Sequence, residues 1–189
     1  MNAEKILLQL QQSQQAHDER SHRDILGLDT HTRLKHMILH FLKYAGKITN
    51  AGETGNHELL KATLVDTFII CLAMANTLNT SIGANIHEEA AELDDLAKML
   101  GRQIAAPNIF DFTLKKLVSL SGKMAKSIES TDHLERGNPR EELETLIVEL
   151  SISILQIIGV LGFSLNTLIH ERWAGVEQKL LFNKLSALQ

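Results

Sequence analysis

The sequence predicts an all-α protein, a helical bundle whose core is four helices arranged as two related hairpins about a pseudo-twofold axis. Three observations carry that expectation. Only 2 prolines interrupt 189 residues, so long stretches can keep an unbroken helical hydrogen-bond ladder. The apolar share of 44% comes mainly from Leu, Ile, Ala and Met, with aromatics at 4%, a balance that favours helix over sheet. Apolar residues then recur at helical spacing between polar breaks rich in Gly, Asn and Asp. The length suits one substantial domain. A formal charge of −4 argues against a general nucleic-acid binder, which would present a basic surface.

Taken in order, residues 2–19 read as a Gln-rich first helix with Ile6, Leu7 and Leu10 on one stripe. "SHRDILGLDTH" breaks the pattern, and Asp29 or Thr30 offers a cap for the second helix. That helix spans about 31–48 and gives way to the loop "TNAGETGN"; a third runs over about 57–79 behind an Asn56 cap. Residues 87–100, "HEEAAELDDLAKML", read as a shorter acidic-faced helix ending at Gly101. "AAPNIFD" is the internal boundary, with Pro107 and an Asp111 cap before a fifth helix over about 112–129. In "STDHLERGNPR", Asn138 caps and Pro139 takes the first helical position, where its fixed φ and missing N–H do no harm. The sixth helix covers about 139–161 and stops at Gly162, and a last one runs over about 166–186.

The run "LIVELSISILQIIGVLGFSL" has the length of a bilayer span, but Glu149 and Gln156 fall inside it. It reads as a buried central helix, and no membrane partner is expected. "MNAEKILLQLQQSQQ" lacks the form of a signal peptide. The single cysteine, Cys71, lies in the apolar run "TFIICLAMA", so no disulfide forms within the chain. A reducing, cytoplasmic setting is expected.

Two stretches read as copies. With Ala45 set against Ala125, "RLKHMILHFLKYAGKI" and "FTLKKLVSLSGKMAKSI" match at Leu34 and Leu114, Lys35 and Lys115, Lys43 and Lys123, Ile48 and Ile128. The next segments, "ATLVDTFIICLAMANTLNTSI" and "ETLIVELSISILQIIGVLGFSL", align with Asp66 opposite Glu149. The expected organisation is an N-terminal helix and connector over 1–30, then one all-α domain over 31–189. Within it the repeats cover about 31–101 and 111–187.

At "LVDTFIICLAMANTLNTSI" the sequence resembles the MazG-like all-α NTP pyrophosphatases, a family that includes dimeric dUTPases and phosphoribosyl-ATP pyrophosphohydrolases. The family's second core helix commonly reads as an ExxD step, an apolar run, "AN" or another small pair, a glycine, and Ile or Leu. Asp66, Ala75, Asn76 and Ile82 fit, with Asn79 where the glycine would stand; Glu149, Gly162 and Leu165 fit in the second copy. The resemblance covers about 33–82 and 112–177. It implies splitting of a nucleoside triphosphate into monophosphate and pyrophosphate. It also implies Mg²⁺ gathered by ExxE and ExxD acids on facing helices, and assembly as a dimer. Carried across, the ExxE step reads Tyr44 and Lys47, then Met124 and Ser127. The ExxD step reads Thr63 and Asp66, then Leu146 and Glu149. One acid per copy remains, so Mg²⁺ would rest on Asp66 or Glu149 with recruited acids.

Lys43, Lys47, Lys123 and Lys126 lie near this face, where a lysine can contact a phosphate or pair with the remaining acid. The specific expectation is Lys43 and Lys47 facing Asp66, and Lys123 facing Glu149. His36 and His40, four apart, share a helix face and could ligate a metal. Glu89, Glu92 and Asp95 recur at three-residue spacing, as a solvated face or a displaced metal site. "HDERSHRD", with His17, Asp18, His22 and Asp24, reads as a charged helix end ahead of an HD-type phosphohydrolase step. Leucines on the first and last helices favour a homodimer. Two function classes stay open, a divergent pyrophosphohydrolase and a non-catalytic helical protein that binds a nucleotide or a protein partner.

Overall fold

The computed structural model describes residues 1–133 and 135–180. They form eight α-helices and no strand: α1 (Ala3–Ser21), α2 (Arg23–Leu26), α3 (Thr30–Thr54), α4 (His57–Leu78), α5 (Leu93–Gly101), α6 (Ile109–Asp132), α7 (Pro139–Leu161) and α8 (Leu165–Glu177). The core is the expected pair of hairpins, α3–α4 and α6–α7, with α3 packed on α6 and α4 on α7. Each hairpin carries a further helix on its second member, α1 against α4 and α5 against α7, while α8 lies across α1, α4 and α5. The inner faces of α4 and α7 are the most buried parts; Leu64, Phe68, Leu72, Ile147, Leu150 and Ile154 are wholly inaccessible. α7 alone among the described helices is long and apolar enough to cross a membrane, and it packs between α4, α5 and α6.

Local chemistry sets most helix ends. Asn2, Asp29, Asn56, Asn108, Asn138 and Ser164 each accept a hydrogen bond from a backbone N–H in the first turn of the helix they cap. Asn79 and Gly162 end α4 and α7 in the left-handed conformation, with φ of 57° and 71°. Thr63, Thr67 and Ser151, hydroxyls inside the apolar helices, donate back to carbonyls one turn earlier and so stay satisfied.

Several expectations change. α3 continues through "TNAGE" to Thr54, because Ala51 is fully buried and Gly52 packs under Phe110. The break after α1 contains one helical turn, α2. The acidic helix begins only at Leu93, since residues 88–90 pair with the N-terminal residues instead; Ala3 N–H donates to Glu88 O and Ala90 N–H to Met1 O. Glu89 and Glu92 therefore do not share a helix face with Asp95. α6 starts at Ile109 behind Asn108, and Asp111 pairs with Lys115 at 2.8 Å rather than capping. α8 ends at Glu177, and the expected continuation over 181–186 lies outside the described residues. Of the leucines on the first helix that favour a homodimer in the sequence, Leu7 and Leu10 are buried within the chain and Leu8 is exposed.

Candidate functional site

Polar side chains converge where α1, α3, α4 and α8 meet, around a cavity of about 180 Å³. α1 explains how they arrive. Its buried stripe runs Ala3, Leu7, Leu10, Gln14, His17, so the helical period that buries leucines at one end buries an amide and an imidazole at the other. His17 is 1% exposed. Its Nδ1 lies 3.0 Å from Glu177 Oε1, and its ring stacks on Trp173 with centroids 5.7 Å apart. The bonds from His17 and Arg20 hold the Glu177 carboxyl below the usual carboxylate range.

Asp18, also buried, accepts from Gln14 Nε2 at 2.8 Å, and Gln14 Oε1 in turn accepts from Trp173 Nε1 at 2.9 Å. Burial pushes the Asp18 carboxyl up to about 6, against the opposing pull of His22, Gln14 and Arg33. His22 comes directly after the last turn of α1 and sets its ring edge-on to His17. One donor atom from each of His17, Asp18 and His22 lies within 4.8 Å of the other two.

Across the cavity, His36 and His40 meet with their Nε2 atoms 3.2 Å apart. Lys43 Nζ donates to His40 Nδ1 at 2.9 Å, which leaves the His40 proton on Nε2 for His36. Burial, and then the Lys43 charge, bring the His40 imidazole down to about 4, so it is neutral at physiological pH. Burial raises the Tyr44 phenol beneath it above its ordinary range.

Asp66 forms one wall. Arg172 Nε donates to its Oδ1 at 2.7 Å, and Lys47 Nζ lies 3.9 Å from Oδ2. On the far side of this bridge opens a groove of about 490 Å³ between α3, α4 and α8, lined by Lys47, Glu58, Lys61, Asp66, Glu171 and Arg172. The Asp66–Arg172 pair thus divides cavity from groove. The second hairpin has a corresponding groove of about 620 Å³ containing Lys123, Lys126, Ser127, Glu141 and Thr145. By the internal alignment Ser127, Glu141 and Thr145 stand opposite Lys47, Glu58 and Ala62. Among the described residues no helix walls the second groove as α8 walls the first.

The lysine expectations divide accordingly. Lys47 reaches Asp66, whereas Lys43 turns to His40 and lies over the Tyr44 ring. Lys123 does not face Glu149. It sits nearer the hairpin connection, level with Glu141 and Glu142, while Glu149 lies deeper along α7 and meets Lys116 at 3.9 Å. Lys126 pairs with Glu135 and Glu129. At the positions where the resemblance implies Mg²⁺, Tyr44 is buried, Thr63 donates to Leu59 O, and Met124 and Ser127 are buried. Asp66 already carries two cations. These residues do not compose the paired-carboxylate set that magnesium would need.

In the sequence His17, Asp18 and His22 read as a charged helix end, and no motif there marks Arg172, Trp173 or Glu177 as partners in this site. The signal that could have found the first group is the polar continuation of the α1 stripe. No family model, no curated protein and no solved structure matches the chain.

Proposed function

We propose that this chain binds the phosphates of a nucleotide in the groove of its first hairpin, as a divergent relative of the MazG-like all-α NTP pyrophosphatases. The observation that carries the reading is Asp66. It stands at the second-helix acid position, yet it is held by Arg172 and Lys47, with Lys61 in the same groove. A polyphosphate offers these cations a more highly charged partner than one carboxylate, and the planar fork of Arg172 suits a bidentate phosphate contact. With a single engaged acid in place of a carboxylate pair, recognition through cations is favoured over a magnesium bridge.

Hydrolysis to monophosphate and pyrophosphate is the second reading. It is favoured by the His- and Asp-lined cavity that shares Asp66 and Arg172 with the groove. Calorimetric titration with a panel of nucleoside triphosphates, then chromatography of the products, tests both. Binding of at least one nucleotide is expected, weakened by about tenfold to a hundredfold in Arg172→Ala, as befits a lost charge-assisted contact. Nucleotide binding indifferent to Arg172 and Lys47, or no binding at all, overturns the reading; monophosphate and pyrophosphate as products decide for hydrolysis.

A further inference from the structure

We propose that His17, Asp18 and His22 hold one divalent first-row transition-metal ion, a zinc-type cation bound by two imidazoles and a carboxylate. Two nitrogens and one oxygen are a donor set for borderline metals, not for Mg²⁺ or Ca²⁺, which take oxygen. Three protein ligands leave a coordination position open, the arrangement of metal sites that bind or activate a further ligand. The donors, now within 4.8 Å of one another, need to approach to about 3.4 Å for tetrahedral bonds of about 2.0–2.1 Å. His22 is the group able to close that gap, because it is half-buried, sits just past the end of α1 and makes no side-chain hydrogen bond to the described residues.

The surroundings are those of a supported ligand set. Glu177 takes the Nδ1 side of His17, which leaves Nε2 to carry the lone pair, and Trp173 fixes the ring plane. A carboxylate behind a ligating imidazole orients it and raises its basicity. Gln14 holds Asp18 by Oδ1 only, and Oδ2 accepts no hydrogen bond from the described residues. Arg33 lines the same cavity, and its buried Nε has no hydrogen-bond partner among the described residues; it suits an anionic ligand at the open position. The neighbouring His36–His40 pair is a poorer host, since the two Nε2 atoms are committed to each other and His40 Nδ1 to Lys43.

The proposal involves neither Lys47 nor Arg172 as a ligand and is tested without nucleotide, so it stands or falls apart from the phosphate-binding reading. The chelator-treated full chain is titrated with Zn²⁺ by calorimetry and with Co²⁺ by visible absorption. One equivalent is expected to bind, with an excess of Mg²⁺ failing to displace it. His22→Ala and Asp18→Asn are expected to abolish the Co²⁺ bands with helical content retained by circular dichroism. Glu177→Gln, which removes no ligand, is expected to weaken binding by about 10–100-fold. His22→Ala guards against a folding artefact, since its half-buried side chain anchors no hydrogen bond to the described residues. Absence of Zn²⁺ and Co²⁺ binding overturns the site, as does binding that survives both His22→Ala and Asp18→Asn. Binding lost in His36→Ala but kept in His22→Ala moves the ion to the other histidine pair and also overturns it.

Discussion

His40 is neutral because of where α3 puts it, and that has a consequence for stability. Its imidazole titrates at about 4 in the folded chain against 6.5 ordinarily. Between those values the unfolded chain takes up a proton here and the folded chain does not, so this residue withdraws stability as pH falls from 6.5 towards 4. Asp18 acts oppositely. Its carboxyl, raised from 3.8 to about 6, protonates first in the folded chain and adds stability as pH falls through that window. Because the two partly offset, the comparison that isolates His40 is with His40→Gln in metal-free protein. Relative to wild type, the variant is expected to gain thermal stability on going from about pH 7 to about pH 5. A difference in melting temperature that stays constant over that range refutes it. Single side chains were unevenly legible in the sequence. Asp66 and Lys47 could be placed together because a helical hairpin fixes their approach. Glu177 and Trp173 could not be tied to His17 and Gln14, since those contacts span 160 and 159 residues and leave no local periodic trace.

Helices carry the packing, and at the α5–α7 crossing two of them meet at glycines. A Cβ on Gly159 would stand 1.9 Å from Ala97 O, and one on Gly101 would stand 2.7 Å from Gly159 C. Backbone therefore touches backbone. Gly159→Ala is expected to destabilise the chain by about 3 kcal/mol, the upper end of the cost of overpacking a core. Gly122, inside α6 with nothing within 4 Å of its would-be Cβ, is the control. Gly122→Ala is expected to stabilise by about 0.4–1 kcal/mol through helix propensity and a less flexible unfolded chain. Urea unfolding of both variants checks the pair, and equal effects of either sign would contradict the crossing. In the internal alignment Gly159 stands opposite Asn76, where α1 crosses α4 and the contact is polar; Asn76 and Gln11 exchange hydrogen bonds at 2.8 and 3.1 Å. One crossing closes by removing side chains, the other by pairing amides. Helix limits were legible where local chemistry sets them, as at Asn138–Pro139 and Gly162 for α7. They were not where packing overrides propensity, as in α3, whose "NAGE" segment is weakly helical by composition and is held by Ala51 and Phe110.

For the molecule as a whole, the all-α class and the two-hairpin core were readable because apolar periodicity repeats through the chain. The flanking helices were less so, because their short patterns do not say which face of the core receives them. Their burial also changes the argument for assembly. With Leu7, Leu10 and Leu165 inside, the large apolar side chains left outward on the core include Leu39 and Leu42 on α3, 64% and 66% exposed, and Val118 on its neighbour α6. A homodimer through this face is the expected state, at twice 21.1 kDa by light scattering. Leu39→Lys with Leu42→Lys is expected to return it to 21.1 kDa. A mass of 21.1 kDa for the unaltered chain at every concentration ends that expectation. Trp173, the only tryptophan in the sequence, is stacked on one imidazole and bonded through its indole N–H to Gln14. The protein consequently carries its own chromophore at the cavity wall. Its emission is sensitive to changes at the His17 ring and at the Gln14 amide, so intrinsic fluorescence reports on the site with no label attached.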